Sequence, residues 1–538
     1  MAWHIKPKLQ IINTIIGTSY KGNKMPQTLF IMRKIIYTLL LLFALQSANA
    51  QSFNPQLANM LQDTLEHYVS FITNIKGMSA SVYIPGQGIW QGTTGVSYLG
   101  QPITPSMGFG IASNTKLFVA ATILKLTESN LLQLDDSLHE WLPTYPNINP
   151  NITIRQLLNH TSGVSDPLFV PPYVDTIRNN PTRVFTPQEV LSWVGAPMFS
   201  AGTAWGYSNT NYILAGMVAE SATGQHISEL IRNNILTPLQ LDSTFYDVEE
   251  PVMGLLSHRW YSGVDYNDTS RVGLNTAGGA AGSLFSTSGE MAQWYHALFS
   301  GQVLNATSMA NLTTFVPTQT AYTYGLGLER QAYWGRVIWQ HGGSTWGYKS
   351  RMVYDPCNEY VVCGLANSWP AGMDGITLIL YKVLVDVLPG CPGAITGDAT
   401  VCQGQNTVTY TVPPIAHATS YIWTLPNGVI GTSNTNSITV TIGASAVSGN
   451  ITVKGANIYG NGGTAKLALT VYPTPSIMGI NNVCVNGMGN YSVPTIAGST
   501  YVWTVTGGNI TTGQGTPQIT VQWNNGVAGT VSIVRTVQ

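Results

Sequence analysis

Residues 109–126 read "FGIASNTKLFVAATILKL" and place Ser113 and Lys116 three positions apart, where a polar turn gives way to an apolar helical run. Side chains at i and i+3 of a helix lie on the same face, so the two can meet. Serine needs a base within about 3 Å to act as a nucleophile, and lysine is a base only when burial favours its neutral form. The spacing therefore leaves two readings: a serine helix cap with a surface lysine, or a nucleophile with its own base.

The length of 538 residues predicts two to four domains. Because 44% of the residues are hydrophobic, the chain can bury a substantial core. Charged residues make up only 9%, and the formal net charge is −1. The near-neutral balance argues against a nucleic-acid partner.

The N-terminal region has the pattern of an export signal. Residues 32–50 contain a basic start, an apolar run from Ile35 to Leu45 and a small-residue ending at Ala50. This pattern predicts a signal peptide cleaved after Ala50, because the apolar run is shorter than the roughly 20 residues that span a bilayer. Residues 1–31 precede the signal and are interpreted as a non-native extension. We expect an exported protein, in the periplasm, on the cell surface or secreted, with no transmembrane helix after signal removal.

The five cysteines all lie beyond residue 350, at Cys357, Cys363, Cys391, Cys402 and Cys484. Export permits a disulfide, and Cys357 can pair with Cys363 or Cys391. No CxxC motif occurs and no cysteine lies near clustered histidines, so we expect no metal and no other cofactor.

Residues 51–390 alternate between helical and strand patterns. Helical spacing at 55–72 is followed by a hairpin pattern at 79–100, and strand patterns return at 336–368 before a last helical run at 375–388. This order predicts an α+β domain. Its antiparallel sheet is assembled from distant segments, with the terminal helices on one face and a helical insertion on the other.

The remaining residues contain an internal repeat with a spacing of 80 to 82 residues, as between Cys402 and Cys484 or Trp423 and Trp503. Short alternating strands with one inward tryptophan per unit predict two all-β sandwich modules at 391–472 and 473–538. They resemble PKD-like, immunoglobulin-type repeats of exported bacterial proteins, including cargo of type IX secretion. The second copy stops before its expected last strand. We expect contacts with the cell surface or the export machinery through these repeats.

Three further motifs follow the Ser-x-x-Lys stretch. They are "ITIRQLLNHTSGV" at 152–164, "YSN" at 207–209 and "IWQHGGSTWGY" at 338–348, joined by "GGAAGSLFSTSGEMAQW" at 278–294. In this order the motifs resemble the serine β-lactamases and penicillin-binding proteins, in the class C-like branch with D-Ala-D-Ala carboxypeptidases and esterases. The resemblance covers about residues 60–388.

The resemblance implies a role for each matching residue. Ser113 matches the acylated nucleophile and Lys116 its partner. Tyr207 matches the tyrosine whose phenol shares a proton with the lysine and activates the serine and then the deacylating water. Asn209 matches the asparagine that binds the substrate amide, and the backbone N–H groups of Ser113 and Ser344 match the oxyanion hole.

The sequence His341-Gly342-Gly343 departs from the family's Lys-Thr-Gly strand. An unperturbed histidine is about one-quarter charged at pH 7, so its grip on a substrate carboxylate would be weaker than that of lysine. Strong penicillinase activity is therefore not expected. We expect Gly343 to leave room for the substrate backbone along the strand. His160 is interpreted as a structural residue at a helix end.

These patterns together predict an exported serine hydrolase that cleaves an amide or ester through an acyl-enzyme on Ser113. The first candidate substrate is a D-amino-acid peptide, which the protein would cleave as a carboxypeptidase cleaves peptidoglycan-derived peptides. Small esters or amides are the second candidate. A surface binding protein with a weak or inactive hydrolase domain is one alternative, and a true β-lactamase is another.

Overall fold

The computed structural model describes residues 52–72, 74–525 and 528–537. The expected N-terminal extension at 1–31 and the signal peptide at 32–50 both lie outside the described residues. Within the part of the chain that is described, no helix has the length and apolar character needed to cross a bilayer.

The helices belong to the first 390 residues and alternate with strands along the chain. They are α1 (Pro55–Phe71), α2 (Thr115–Glu128), α3 (Leu138–Trp141), α4 (Ile154–Leu158), α5 (Pro171–Asn179), α6 (Pro187–Ser192), α7 (Asn209–Thr223), α8 (Ile227–Ile231), α9 (Val272–Gly278), α10 (Ser288–Phe299), α11 (Ala306–Leu312) and α12 (Met373–Val387). Short 3-10 turns occupy Ala112–Asn114, Pro167–Phe169 and Gly279–Ala281, and a π-helical turn occupies Arg232–Leu236.

In the described part of the chain fifteen strands accompany these helices, and nine of them form one antiparallel sheet in the order β3-β2-β1-β14-β13-β12-β11-β10-β9. The strands are β1 (Gly77–Ile84), β2 (Gly88–Tyr98), β3 (Gln101–Pro102), β4 (Phe109–Gly110), β5 (Phe245–Tyr246), β6 (Trp260–Tyr261), β7 (Val264–Asp265), β8 (Leu284–Ser286), β9 (Val316–Pro317), β10 (Thr323–Tyr324), β11 (Glu329–Tyr333), β12 (Arg336–Thr345), β13 (Tyr348–Asp355), β14 (Tyr360–Ala366) and β15 (Ser368–Trp369). Pairing of β1 with β14 joins the two ends of the domain. The predicted assembly of the sheet from distant segments is confirmed.

The two terminal helices cover one face of this sheet. Helix α1 begins after Asn54, whose side chain accepts from the N–H of Leu57, and it buries Leu57, Leu61 and Leu65 at a spacing of four. These leucines share one core cluster with Leu380 of α12. Each fully buried leucine contributes about 1.5–3 kcal/mol of transfer free energy, so the helices are held to the sheet along their length.

The helical insertion packs on the opposite face and contains the larger core cluster. Helix α2 lies at its centre and is buried nearly all round, from Thr115 to Leu124. A helix that is apolar on all sides belongs in an interior. The start of α2, where Ser113 and Lys116 lie, is therefore fixed by packing rather than exposed at a surface.

Beyond Pro389 the chain forms two all-β modules, as predicted. Their strands are β16 (Thr400–Cys402), β17 (Val408–Thr411), β18 (Ser420–Thr424), β19 (Val429–Ile430), β20 (Ser437–Ile442), β21 (Gly449–Asn457), β22 (Gly460–Tyr472), β23 (Met478–Gly479), β24 (Met488–Ser492), β25 (Ser499–Thr506), β26 (Gly508–Thr512), β27 (Gln518–Trp523) and β28 (Thr530–Val537). The first module pairs a sheet β16-β22-β21-β18 with a sheet β17-β20-β19, and the second pairs β23-β24-β27-β26 with β25-β28.

The internal repeat is visible in equivalent hydrogen bonds. Trp423 Nε1 donates to the carbonyl of Thr435 at 2.9 Å, and Trp503 Nε1 donates to that of Thr516 at 2.8 Å. Both modules thus fix their tryptophan in the same way.

A disulfide joins Cys357 to Cys391 and closes a loop of 34 residues. It links the turn between β13 and β14 to the segment that enters the first module. Of the pairings left open by the sequence, the structure selects Cys391, and Cys363 is a buried free thiol within β14.

Candidate active site

Ser113 lies in the 3-10 turn that leads into the buried helix α2. Ala112, directly before it, has a φ of +47°, a conformation that non-glycine residues rarely adopt. Two hydrogen bonds hold this turn. The side-chain amide of Asn114 donates from Nδ2 to Ser350 Oγ at 2.8 Å, and that hydroxyl donates to the carbonyl of Ile111 at 2.6 Å. Backbone strain of about 1–3 kcal/mol persists only where the surroundings fix it, and here strand β13 does so.

Lys116 is fully buried, with 0% of its surface exposed. Its Nζ lies 3.1 Å from Ser113 Oγ, 2.8 Å from Asn209 Oδ1 and 2.7 Å from the carbonyl oxygen of Ala281. Burial lowers the pKa of Lys116 to about 7, while the nearby carboxylate of Asp166 acts in the raising direction. The reading of Lys116 as a surface lysine beside a helix cap is therefore wrong.

The same contacts orient the neutral amine. A neutral lysine has two N–H groups and one lone pair, and the oxygens of Asn209 and Ala281 can only accept. When these oxygens take both hydrogens, the lone pair is left for the hydroxyl of Ser113. The arrangement suits removal of the serine proton as Oγ attacks.

Tyr207 approaches Ser113 from the loop before α7, and its OH donates to Ser113 Oγ at 2.8 Å. Burial raises the pKa of Tyr207 above its usual value, so the phenol stays protonated at neutral pH. The expected sharing of a proton between Tyr207 and Lys116 takes an indirect form, because both groups meet at Ser113 Oγ. Lys116 Nζ lies 5.0 Å from the centroid of the tyrosine ring.

Asn209 is the first residue of α7 and faces both the lysine and the cavity. Its Oδ1 accepts from Lys116, and its Nδ2 donates to Asp166 Oδ2 at 2.9 Å. A side-chain amide carries two hydrogens, so one remains available for a substrate carbonyl.

A cavity of about 600 Å³ opens beside Ser113 and includes Asn209, Gly342 and Ser344 in its lining. Much of the wall is apolar or aromatic: Leu168, Phe169, Ile177, Leu274, Trp346 and Trp369. Apolar walls with a few placed polar groups are typical of small-molecule sites.

The edge of strand β12 faces this cavity. Strand β11 pairs with β12 only as far as Gln340, where Glu329 is its partner, so residues 341–345 have no partner on that side within the sheet. A free edge presents backbone N–H and C=O groups. Ser113 and Ser344, the two residues expected to form an oxyanion hole, both line this cavity.

A family model described as beta-lactamase matches residues 61–386, more than half of the chain. The chain belongs to the beta-lactamase family. Models described as PKD-like domain match residues 388–469 and 470–537.

Two relatives show how far the similarity extends along the chain. The chain is 25% identical over 275 residues to Penicillin-binding protein 4* of Bacillus subtilis (strain 168), covering 47% of this chain and 59% of the relative. It is 27% identical over 373 residues to the Unguisins hydrolase ungD' of Aspergillus campestris, covering 62% and 65%. The chain thus spans less than two thirds of either relative.

Among solved structures, a D-stereospecific amidohydrolase from Streptomyces sp. superposes with a TM-score of 0.54 at 28% identity, over 59% of this chain and 96% of that one. The likeness supports a serine hydrolase of the β-lactamase and penicillin-binding fold.

His341 is where this β-lactamase family member departs from the family's Lys-Thr-Gly strand. Its Nδ1 lies 2.7 Å from the carbonyl oxygen of Gly342, which can only accept, so Nδ1 carries the hydrogen. Nε2 then accepts from the hydroxyl of Tyr324 at 2.9 Å. Burial, with the charge of Lys116 nearby, lowers the pKa of His341 to about 3. The expectation of a partly charged histidine that grips a carboxylate is corrected: the ring is neutral and does not line the cavity.

Gly343 is required for a different reason from the one expected. A Cβ at this position would overlap the carbonyl oxygen of Ile111 and the hydroxyl of Ser350, and would lie 3.2 Å from the Cβ of Ala112. The side chain would therefore collide with the turn that carries Ser113 rather than with a substrate on the strand.

His160 has the structural role expected of it. Its Nδ1 accepts from the backbone N–H of Ser208 at 3.3 Å and lies 2.9 Å from the side-chain Nδ2 of Asn211. The ring packs 4.4 Å from that of Tyr207. Burial holds the pKa of His160 well below its usual value, so a neutral imidazole supports the tyrosine loop.

Four residues of the site were not singled out in the sequence: Asp166, Ala281, Tyr324 and Ser350. Asp166 stands in an Asp-Pro pair that indicates a local cap, and it does accept from the N–H of Leu168. Its second contact, with a residue 43 positions away, has no local pattern. Ala281 acts through its carbonyl, which no side-chain motif reveals.

Proposed function

We propose that this chain is an exported serine hydrolase that cleaves amides, and D-amino-acid amides and peptides first, through an acyl-enzyme on Ser113. One observation carries the proposal: the buried Nζ of Lys116 lies 3.1 Å from Ser113 Oγ, with two other acceptors fixing its hydrogens. This arrangement is costly to maintain in a protein interior and is suited to a base.

In the first half of the reaction Ser113 Oγ attacks the substrate carbonyl carbon, and its proton passes to Lys116 Nζ. The oxyanion accepts from the backbone N–H groups of Ser113 and Ser344. The C–N bond then breaks. The leaving amine takes the proton that Lys116 received from Ser113.

In the second half water attacks the ester formed on Ser113. Lys116, again neutral, accepts the proton of the water. The C–O bond to Ser113 breaks, the acid leaves, and Lys116 returns the proton to Ser113 Oγ. No group beyond the substrate and water is needed for the balance of atoms.

The charges around the cavity favour a neutral amide over a peptide ending in a carboxylate. His341 is neutral, and among the described cavity-lining residues the one cation is Arg178, 3.0 Å from Asp175. A carboxylate without a free cation would lose solvation and gain little. The D-stereospecific amidohydrolase from Streptomyces supports an amide substrate of D configuration. Carboxypeptidase action and β-lactam hydrolysis are the weaker candidates.

Export is proposed from the signal-like pattern at residues 32–50 and from the PKD-like modules. Contacts of these modules with a cell surface or export machinery are likewise proposed from their resemblance to surface repeats.

A substrate panel on the full chain tests the function. We expect D-phenylalanine amide to be hydrolysed faster than L-phenylalanine amide, and at least about tenfold faster than a peptide ending in D-Ala-D-Ala, because the carboxylate lacks a free cation. Ser113→Ala is the control and should remove all turnover. Rapid turnover of a chromogenic cephalosporin would instead identify a β-lactamase. A folded wild type that turns over nothing and binds no fluorophosphonate would favour the binding protein.

A further inference from the structure

Asp166 lies in the loop after α4, at the start of the 3-10 turn Pro167–Phe169, and does not touch the nucleophile. Its Oδ2 accepts from the backbone N–H of Asn209 at 2.6 Å and from Asn209 Nδ2 at 2.9 Å. Its Oδ1 accepts from the N–H of Leu168 at 2.9 Å. One carboxylate therefore accepts from both the backbone N–H and the side-chain amide of Asn209, the residue that contacts the catalytic lysine.

This double contact decides which way the Asn209 amide points. The two ends of an asparagine amide have nearly the same shape but opposite hydrogen-bonding roles. With Nδ2 held by Asp166, Oδ1 faces Lys116 at 2.8 Å. The opposite orientation would place an NH₂ group against the lysine and remove one of the two acceptors that orient its lone pair toward Ser113.

We propose that Asp166 is the positioning residue of this site: its carboxylate fixes the Asn209 amide with Oδ1 toward Lys116 and sets a negative charge beside the lysine. The inference rests on the proposed function and deepens it. Asp166 does not line the cavity and is not itself a catalytic residue.

The charge acts in a definite direction. Burial lowers the pKa of Lys116, and Asp166 raises it. The other titratable groups around Lys116 come from four separate segments and are Tyr207, Tyr212, His160 and His341. Burial keeps the tyrosines protonated and the histidines neutral, so the carboxylate of Asp166 supplies the charge that opposes desolvation of the lysine. Burial also raises the pKa of Asp166 itself, while the N–H groups of Asn209 and Leu168 and the charge of Lys116 act in the lowering direction.

A purely structural role for Asp166 is the competing account. The carboxylate also satisfies the first N–H groups of α7 and of the turn Pro167–Phe169, since the side chain of Ser208 makes no cap bond. Loss of a helix cap would lower the stability of the protein and would reduce the labelling rate by the same factor at every pH. It would not move the pH at which Lys116 loses its proton.

The experiment measures the rate of fluorophosphonate labelling of Ser113 from pH 5 to pH 9 on the full chain. The acid limb is the part of the pH–rate profile over which the labelling rate rises as Lys116 loses its proton. For Asp166→Asn we expect this limb to shift by about one pH unit toward lower pH, because removal of a negative charge favours the neutral lysine. At pH 8 the rate should fall about tenfold, since the Asn209 amide is no longer held. Asp386→Asn, which removes an exposed carboxylate paired with Lys382, is the matched control and should leave both values unchanged.

Two further variants secure the result. Asp166→Glu keeps the charge and should keep the acid limb of the wild type, so an acid limb that moves in this variant contradicts the proposal even where Asp166→Asn does not fold. In an Asn209→Ala background, Asp166→Asn should cause no further tenfold loss at pH 8. An unshifted acid limb in folded Asp166→Asn overturns the positioning role alone, whereas a wild type that never labels overturns the proposed function.

Discussion

Lys116→Met is expected to reduce acylation of Ser113 by about a thousandfold or more, the range found when a general base is removed. Methionine fills much of the same volume but cannot accept the serine proton. In the wild type, the acylation rate should rise through about pH 7 and level off above it, because the neutral form of Lys116 is the active one. The measurement is the rate of fluorophosphonate labelling against pH.

Two variants control for this loss. Lys116→Arg keeps a positive charge and N–H donors but cannot deprotonate, so it should be as inactive as methionine. Lys125→Met changes a lysine on the same helix, partly exposed and paired with Glu128, and should label like the wild type. Circular dichroism confirms folding, since Lys116→Met leaves the acceptors on Asn209 and Ala281 unpaired. Wild-type labelling by folded Lys116→Arg would contradict the assigned role.

Gly343→Ala is expected to lower acylation by about a hundredfold, although residue 343 contributes no side chain to the chemistry. The added methyl group overlaps the carbonyl oxygen of Ile111 and the hydroxyl of Ser350. Relief of that overlap must move the turn that carries Ser113, and a displacement of about 1 Å in a reacting group costs about this factor. Overpacking should also reduce the free energy of unfolding by about 1–3 kcal/mol.

The comparison is with Gly375→Ala, because a Cβ at this position in α12 meets no atom within 4 Å. That variant should keep full activity and unchanged or slightly higher stability. Labelling and thermal unfolding are measured on both proteins. If Gly343→Ala acylates at the rate of the wild type, the strand does not fix the nucleophile turn as described.

Much of the fold followed from local patterns. The four-residue spacing of leucines in α1 and the alternation in the β1–β2 hairpin are set by short-range periodicity, which a single sequence displays. The repeat of Trp423 at Trp503 predicts two similar modules from the sequence alone. The choice of Cys391 over Cys363 as partner of Cys357 could not be made in this way, because it depends on where the chain returns in space.

The candidate site, like the fold, could be predicted only in part from the sequence. The types and order of Ser113, Lys116, Tyr207 and Asn209 were visible as motifs, and the structure brings these four together. The charge state of His341 could not be predicted from a motif, because it depends on burial beneath Tyr324 rather than on residue type. The contact of Asp166 with Asn209 joins two loops distant in sequence, and the reason for Gly343 lies in a neighbouring turn.

The proposed reaction depends on one covalent bond, between the substrate carbonyl carbon and Ser113 Oγ. Intact-mass and peptide-mapping spectrometry of the full chain, quenched during turnover of a slow phenyl ester, measures it directly. We expect an added acyl mass on the peptide that carries Ser113, absent from Ser113→Ala and from Lys116→Met. An acyl group on any other residue, or turnover that persists in Ser113→Ala, would contradict the account.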